Sequence, residues 1–479
     1  MSGLDPRTPV LVGVGTASEP AEPSALMTLA VEAAADDAGA RSLLGSIDRI
    51  AVPVGTWAYR DPGRLVTDHV GATGARTHLG EVGISQQTLV SQALRAIESG
   101  RSEVAVVTGA DARSWARGGG VETPQPDAVP DERHLREPEF MAAAELGAGI
   151  GVPVQQYAMI DNALRWAEGI TIAEHRAQVA DLWARCNLVA RSNPRAAFAS
   201  PRSALDIDTP GPANRPLAFP YNKWHASQWT VDQGAALLVC SVEAARRHGV
   251  APERWVFPLV GIDAEHSVSL SRRRLLHRWP AMEVLGQAAA ARIGRPLAEA
   301  EFIEVYSCFP AAVRVQQREL GLALDGTPTL TGGMAFAGGP FNNFVYQSTA
   351  AVVAALRSAP GSLGVVTTVC GLLTKPGLAV WSTEPDGRPP LLDDLGPLAA
   401  RATGEVTVAP SHDGPATVAT YTVTFDPVTM APARLAVLAD TATGDRCVAV
   451  ADDPVLAAAA TVDEFCGTTV SVRGSSFSA

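Results

Sequence analysis

The residues whose type and spacing most invite chemistry are glycines. The stretch Gly332-Gly-Met-Ala-Phe-Ala-Gly338-Gly-Pro-Phe-Asn-Asn343 holds two glycine pairs and a proline, and runs straight into residues 344–356, an apolar segment at helical spacing. Glycines so placed let backbone N–H groups approach a ligand closely and take positive φ. The helix that follows adds free donors and a partial positive charge at its start. The chemistry on offer is binding of an oxygen-rich group by backbone donors. A tight strand-to-helix turn of an α/β protein would look much the same, but the neighbouring stretches favour a loop that faces a ligand. Metal chemistry is not expected. The six cysteines (Cys186, Cys240, Cys308, Cys370, Cys447, Cys466) are scattered with no CxxC pair, and the nine histidines show no ligand spacing such as HExxH.

The elements that must hold this loop alternate between strand and helix. Pro9-Val-Leu-Val-Gly-Val-Gly15, residues 47–54 and Glu103-Val-Ala-Val-Val-Thr-Gly109 read as buried strands, and residues 24–37 and 86–99 as helices. Residues 112–150 are rich in Gly, Pro and charge and read as an excursion; 154–191 is mostly helical. Strands follow near 232–240, 255–263, 301–306 and 364–370, with helices at 281–293 and 311–320. The alternation predicts a layered α/β fold. One pattern occurs twice. After Gly83 come a helix and a buried strand; after Gly339 come another helix and buried strand. Two similar halves follow from this, each with a glycine-bearing loop at a helix start, and both helix starts could face one site. Residues 384–402, Pro- and Gly-rich, read as a linker. Residues 403–479 change character to short β-rich runs between turns, a small separate β-domain of OB-like kind.

Composition narrows the classes. The chain has 479 residues, 47% hydrophobic and 18% charged, with net charge −12. It is globular, and its charge argues against nucleic acid or an anionic membrane surface as the main partner. No apolar run approaches the roughly 18 residues of a spanning helix. The start, Met1-Ser-Gly-Leu-Asp-Pro-Arg7, lacks the basic head and apolar body of a signal peptide. With unpaired cysteines, that makes a cytoplasmic protein with reduced thiols the expectation.

Ordered motifs then carry a resemblance. The segments Gln92-Ala-Leu-Arg-Ala-Ile-Glu-Ser-Gly with Val-Val-Thr-Gly-Ala-Asp111, Asp232-Gln-Gly-Ala-Ala, Ile303-Glu-Val-Tyr-Ser-Cys-Phe309 and Gly332-Gly … Gly338-Gly-Pro340 fall in sequence. Over about residues 8–383 they resemble the thiolase superfamily: the helix and strand after the nucleophile, NDGAA, NEAF or HDCF, and GG…GHP. With Leu373-Thr-Lys375 and the extra C-terminal domain, the chain most resembles the branch called thiolase-like protein type 1. The resemblance implies a five-layered αβαβα thiolase fold over 1–383, with an N-terminal half of about 1–255 that includes an excursion 112–225, a C-terminal half of about 256–383, and a β-domain at 403–479. It implies CoA or an acyl-CoA as ligand, with no tightly bound cofactor.

It also marks what is missing. A thiolase needs a cysteine to carry the acyl group; that position falls on Gly83. Ser85, where the family often has the Ser of CxS, reads as a helix cap. The GHP histidine is replaced by Gly339, and the Asn or His of NEAF/HDCF by Tyr306. Cys370 falls near the second catalytic cysteine and is either a proton shuttle or a small buried hydrophobe; Cys308 matches the C of HDCF. Tyr306 resembles tyrosines that serve as acid/base in thiolase-like aldolases acting on steroid side-chain CoA esters. Lys223 and Ser227 lie where the family approaches the pantetheine arm, and Gly83, Ser85, Gly338 and Gly339 complete the expected CoA-binding set. His225, between Trp224 and Trp229, reads as structural. Three functions remain open: a CoA or acyl-CoA binder without thiolase activity, an acyltransferase or retro-aldol lyase using Tyr306, and a non-catalytic CoA-ester carrier. Monomer or homodimer, and a second protein completing the site, also remain open.

Overall fold

A computed structural model describes residues 3–135 and 140–478. The first sheet has six strands, in the order Pro9–Ala17, Asp232–Ser241, Val104–Ala112, Arg49–Pro53, Arg76–Gly80, Glu132–His134. Every residue of Val104–Ala112 is buried. That explains a run with no polar alternation: the sheet is covered on both faces. The second sheet runs Phe302–Glu304, Leu363–Cys370, Lys375–Ser382, Phe257–Asp263.

The helices Gln86–Glu98 and Phe344–Ser358 lie between the sheets. Leu89 and Leu94 from one and Val352 and Leu356 from the other share a core with Leu237 of the first sheet and Val366 and Trp381 of the second. Pro23–Asp37 covers the outer face of the first sheet. Pro280–Ile293 and Pro310–Glu319 cover the second. Each of these three helices opens on a proline, whose missing N–H would be unpaired there anyway. The layers therefore run αβαβα, and the repeated helix–strand unit read from the sequence forms the two halves of the middle.

At the C-terminus, His412–Phe425 pairs with both Pro432–Thr441 and Thr469–Gly474; Arg446–Ala451 and Ser476–Ser478 complete a ring. This closed five-stranded β-barrel has its own core of Val418, Val423, Leu435, Val437 and Phe465. It does not stand apart. Ala218 of the excursion pairs with Thr424 of the barrel, and the Asn162 side-chain amide donates to the Tyr421 carbonyl at 2.9 Å.

Three local readings change. Residues 384–402 are no free linker. Gly261 donates to the Leu391 carbonyl at 2.8 Å and Leu395 to the Asp263 carbonyl at 2.7 Å, and the helix Gly396–Ala402 follows. Pro and Gly made the stretch look loose, but its leucines give it an apolar side to bury. The run at 405–408 forms single bridges and no strand. The strands Arg76–Gly80 and Glu132–His134 lack an apolar run and went unread; the second adds itself, in parallel, to the edge of the first. No helix among the described residues is long and apolar enough to cross a membrane.

Candidate functional site

The two middle helices start at the same place. Gln86, at the first turn of one, accepts a hydrogen bond through its side chain from the Val345 N–H of the other, at 3.0 Å. The glycine loop is held against this junction by Glu304. One of its carboxylate oxygens accepts from the Thr331 N–H at 3.0 Å and from Leu330, the other from the hydroxyls of Thr329 and Thr331 at 2.9 and 2.8 Å. Burial pushes this carboxyl up to about 7, and the four donors pull against that rise. The Glu of Ile303-Glu-Val-Tyr is therefore the anchor of the loop, a role its sequence position did not disclose.

Gly339 has no room for a side chain. A Cβ built there would stand 1.9 Å from the Ser227 hydroxyl and 3.2 Å from Met334 Cε. Ser227 thus fills the volume that a histidine at 339 would need. Its own N–H donates to the Cys308 carbonyl at 2.9 Å, while Gly339 donates to the Gln228 carbonyl at 2.9 Å. Gly338 is buried against Gln233, whose amide holds the Ala337 carbonyl at 2.9 Å. The Lys223 ammonium lies 5.0 Å from the Trp224 ring, which stacks on Phe336 of the glycine loop at 6.3 Å. His225 is buried, accepts from the Asn222 N–H at 3.0 Å, and is pushed down to about 4 by burial. It is neutral at ordinary pH, in line with a structural part.

Gly83 sits at φ +98°, a region that favours glycine. Its carbonyl accepts from the Lys375 ammonium at 2.9 Å, and Lys375 in turn lies 3.3 Å from Glu265. The two side chains are only 4% and 6% exposed. Sequence reasoning noted Lys375 but gave it no role. The signal was there: a lone lysine inside an apolar, strand-like run is rarely left unpaired. Ser85 does occupy the cap position of Gln86–Glu98. Its hydroxyl makes no capping bond, however, and is buried with no partner among the described residues, so the expected side-chain cap is corrected to a backbone one.

Tyr306, Cys308 and Cys370 do come together. The Tyr306 N–H donates to the Thr367 hydroxyl at 2.9 Å, its carbonyl accepts from Gln316 at 2.8 Å, and its ring meets Phe344 edge-on at 6.1 Å. These contacts fix the ring, while its hydroxyl bonds to none of the described residues. Burial raises the phenol above its ordinary range, so it stays protonated and acts as a donor. Burial also pushes the thiols of Cys308 and Cys370 up to about 12; near neutrality neither is a thiolate, the form a nucleophile requires. Tyr157, from the helix Pro153–Ala167, reaches the Gly371 carbonyl at 3.4 Å and stacks on Phe309 at 4.6 Å. Nothing in its amphipathic helix distinguished it in the sequence. Beside the glycine loop, Gln233, Ala337, Thr331 and Asn193 help line a cavity of about 510 Å³, within the size range of small-ligand sites.

Two similar halves in five layers, with both central helices opening on one glycine-lined site, define the layered fold of thiolases. The chain has the fold of the thiolase superfamily and resembles it along its whole length. It is similar along 98% of its length, and 98% of the other's, to a monomeric SCP2-thiolase-like protein type 1 from Mycobacterium smegmatis, with 28% identity and a TM-score of 0.84. The fold is shared more distantly with the Ltp2–ChsH2(DUF35) aldolase (21% identity, TM-score 0.60, covering 80% of this chain and 99% of that one). It is shared likewise with an acetyl-CoA acetyltransferase from Syntrophomonas wolfei (17% identity, TM-score 0.57, covering 79% and 100%). No protein-family model and no curated protein matches the sequence.

Proposed function

We propose that this protein binds CoA or an acyl-CoA beside the glycine loop and performs no thiolase reaction. The observation that carries the second half is the Ser227 hydroxyl, 1.9 Å from where a side chain at 339 would begin. The base that would activate a thiol has neither its residue nor its space. Gly83 offers nothing to acylate, and Cys308 and Cys370 are held as thiols. What remains is a set of hydrogen-bond donors with no nucleophile among them: the free Tyr306 hydroxyl and backbone N–H groups around the glycine loop, with the Lys375 ammonium holding the Gly83 carbonyl behind them. Such a set suits a thioester carbonyl without supplying a nucleophile. Calorimetry with CoA and a 3-ketoacyl-CoA, with cleavage of the latter by CoA into two acyl-CoAs followed in the same samples, tests this. Binding without thiolysis is expected; CoA-dependent cleavage of the 3-ketoacyl-CoA would sink the reading.

A second reading rests on the Tyr306 hydroxyl. A protonated, unpartnered phenol can donate a proton or hydrogen bond to a carbonyl during carbon–carbon cleavage of retro-aldol type, and a fold relative is described as an aldolase. If a β-hydroxyacyl-CoA is cleaved, Tyr306→Phe should abolish turnover and leave CoA binding intact. Unchanged turnover would remove Tyr306 from the mechanism.

The protein is further proposed to work as a single chain. The short strand Glu132–His134 pairs with His78–Gly80 and so takes up most of the edge that Arg76–Gly80 would otherwise offer a second copy. Light scattering should give about 50 kDa, the mass of one chain; twice that mass would overturn it.

A further inference from the structure

The strongest unassigned feature lies away from the glycine loop, toward the end of the helix Gln86–Glu98. There a cleft of about 520 Å³ opens between that helix and the last strands of the first sheet. Arg49, Arg95, Arg101 and Arg133 line it, and Glu132 is its one lining carboxylate. Glu132 is already shared: Arg49 and Arg76 both pair with it. Arg133 pairs with Glu81 at the rim. Arg95 and Arg101 have no ion pair with any described residue. On a chain of net charge −12 this concentration of cations is local and specific.

The cleft is also built to a fixed shape. His78, 5% exposed, lines it and stacks on His134 with ring centroids 6.1 Å apart. Gln92 reaches the His134 ring at 3.2 Å. The Nδ1 of His78 is buried with no hydrogen-bond partner among the described residues. A buried polar atom left so calls for an explanation, and at the wall of a cation-lined cleft a bound ligand supplies one. Close guanidinium groups repel one another until an anion lies between them, and the planar fork of arginine matches the oxygens of a phosphoryl group.

We infer that the cleft formed by Arg49, His78, Arg95 and Arg101 binds the phosphoryl group of a small molecule, at a site separate from the glycine loop. It does not rest on the CoA reading: the two sites share no residue. Free phosphate esters and lipid headgroups carry the same group, and the net charge of −12, which disfavours an anionic membrane surface, favours a soluble ester.

The test titrates inorganic pyrophosphate, in magnesium-free buffer, into the full chain by calorimetry. One-site binding is expected, weakened about tenfold or more in Arg95→Ala/Arg101→Ala, since each lost bond is charge-assisted. Both side chains are at least partly exposed and distant from the glycine loop, so that variant should fold and bind CoA as the unaltered protein does. Arg101→Glu, at an exposed position, serves as a second variant and should weaken binding in the same direction. Flotation with vesicles of phosphatidylcholine and phosphatidic acid distinguishes the source. No flotation is expected; flotation lost in the double variant would keep the cleft and assign it to a headgroup. No pyrophosphate binding together with no flotation, or binding unaltered in both variants, would overturn the inference. Displacement of pyrophosphate in simple competition by pantetheine, which lacks the phosphoryl groups of CoA, would overturn its separateness from the glycine loop.

Discussion

Lys375→Met should destabilise the protein by about 3–5 kcal/mol, the usual consequence of removing one partner of a buried ion pair. Lys375 and Glu265 are almost wholly out of water, and the lysine's second partner is the Gly83 carbonyl. The variant loses both of the lysine's interactions and takes a counter-charge from a carboxylate that is itself out of water. The double change Lys375→Met/Glu265→Leu should recover most of the loss, because a pair of apolar side chains needs no counter-charge. Urea unfolding of the three proteins settles it. A single variant within about 1 kcal/mol of the parent would mean that the pair is solvated and that the ammonium does not fix the Gly83 turn. With the donor gone, Gly83 and Ile84 are free to shift, and under the proposed function acyl-CoA affinity should fall even where the fold survives.

Asp161→Ala should be as severe, about 3–5 kcal/mol, and should change the acid limb of stability. Asp161 is fully buried. Its carboxylate accepts from Arg314 at 2.6 Å and from the Tyr221 hydroxyl at 2.7 Å, and lies 3.1 Å from His175. The same Tyr221 hydroxyl accepts from the Ala311 N–H, at the start of the helix that follows Cys308 and Phe309. The network therefore holds the wall on which Tyr306 and Cys308 are mounted. Burial alone would raise this carboxyl, but His175 and Arg314 outweigh it and hold it below the ordinary carboxylate range. A carboxyl depressed on folding contributes stability that is present above its unfolded value, about 3.9, and is lost as pH falls through the folded value. Below about pH 4 the parent should lose stability more steeply than Asp161→Ala. Parallel acid limbs for the two proteins would show that Asp161 is not the ionised centre of the network.

Most of the frame was legible because it follows from periodicity. Val104–Ala112 and Leu363–Cys370 are continuous apolar runs, as strands covered on both faces must be. The repeat of glycine loop, helix and strand was readable as two halves because each unit is local. Elements that depend on a distant partner were not readable. Glu132–His134 has no apolar pattern and exists because a sheet edge was there to pair with. Residues 384–402 have a linker's composition and a layer's position. The β-barrel was visible as a change of composition, but its stitching to the excursion through Ala218 and Asn162 was not.

The site divides in the same way. That Gly83 carries no nucleophile and Gly339 no imidazole is a matter of residue identity, and the sequence alone determined it. That the vacancy at 339 is occupied, and by Ser227, depended on a loop more than a hundred residues away. The protonation of Tyr306, Cys308 and Cys370 depended on burial, which no single position encodes. The partnership of Lys375 with Glu265 and Gly83 joins three segments through side chains that meet only when both halves have closed on the middle layer. Residue types and local periods are properties of the chain; volumes, dielectric surroundings and charge pairs are properties of what the chain packs against, and these only the tertiary structure decided.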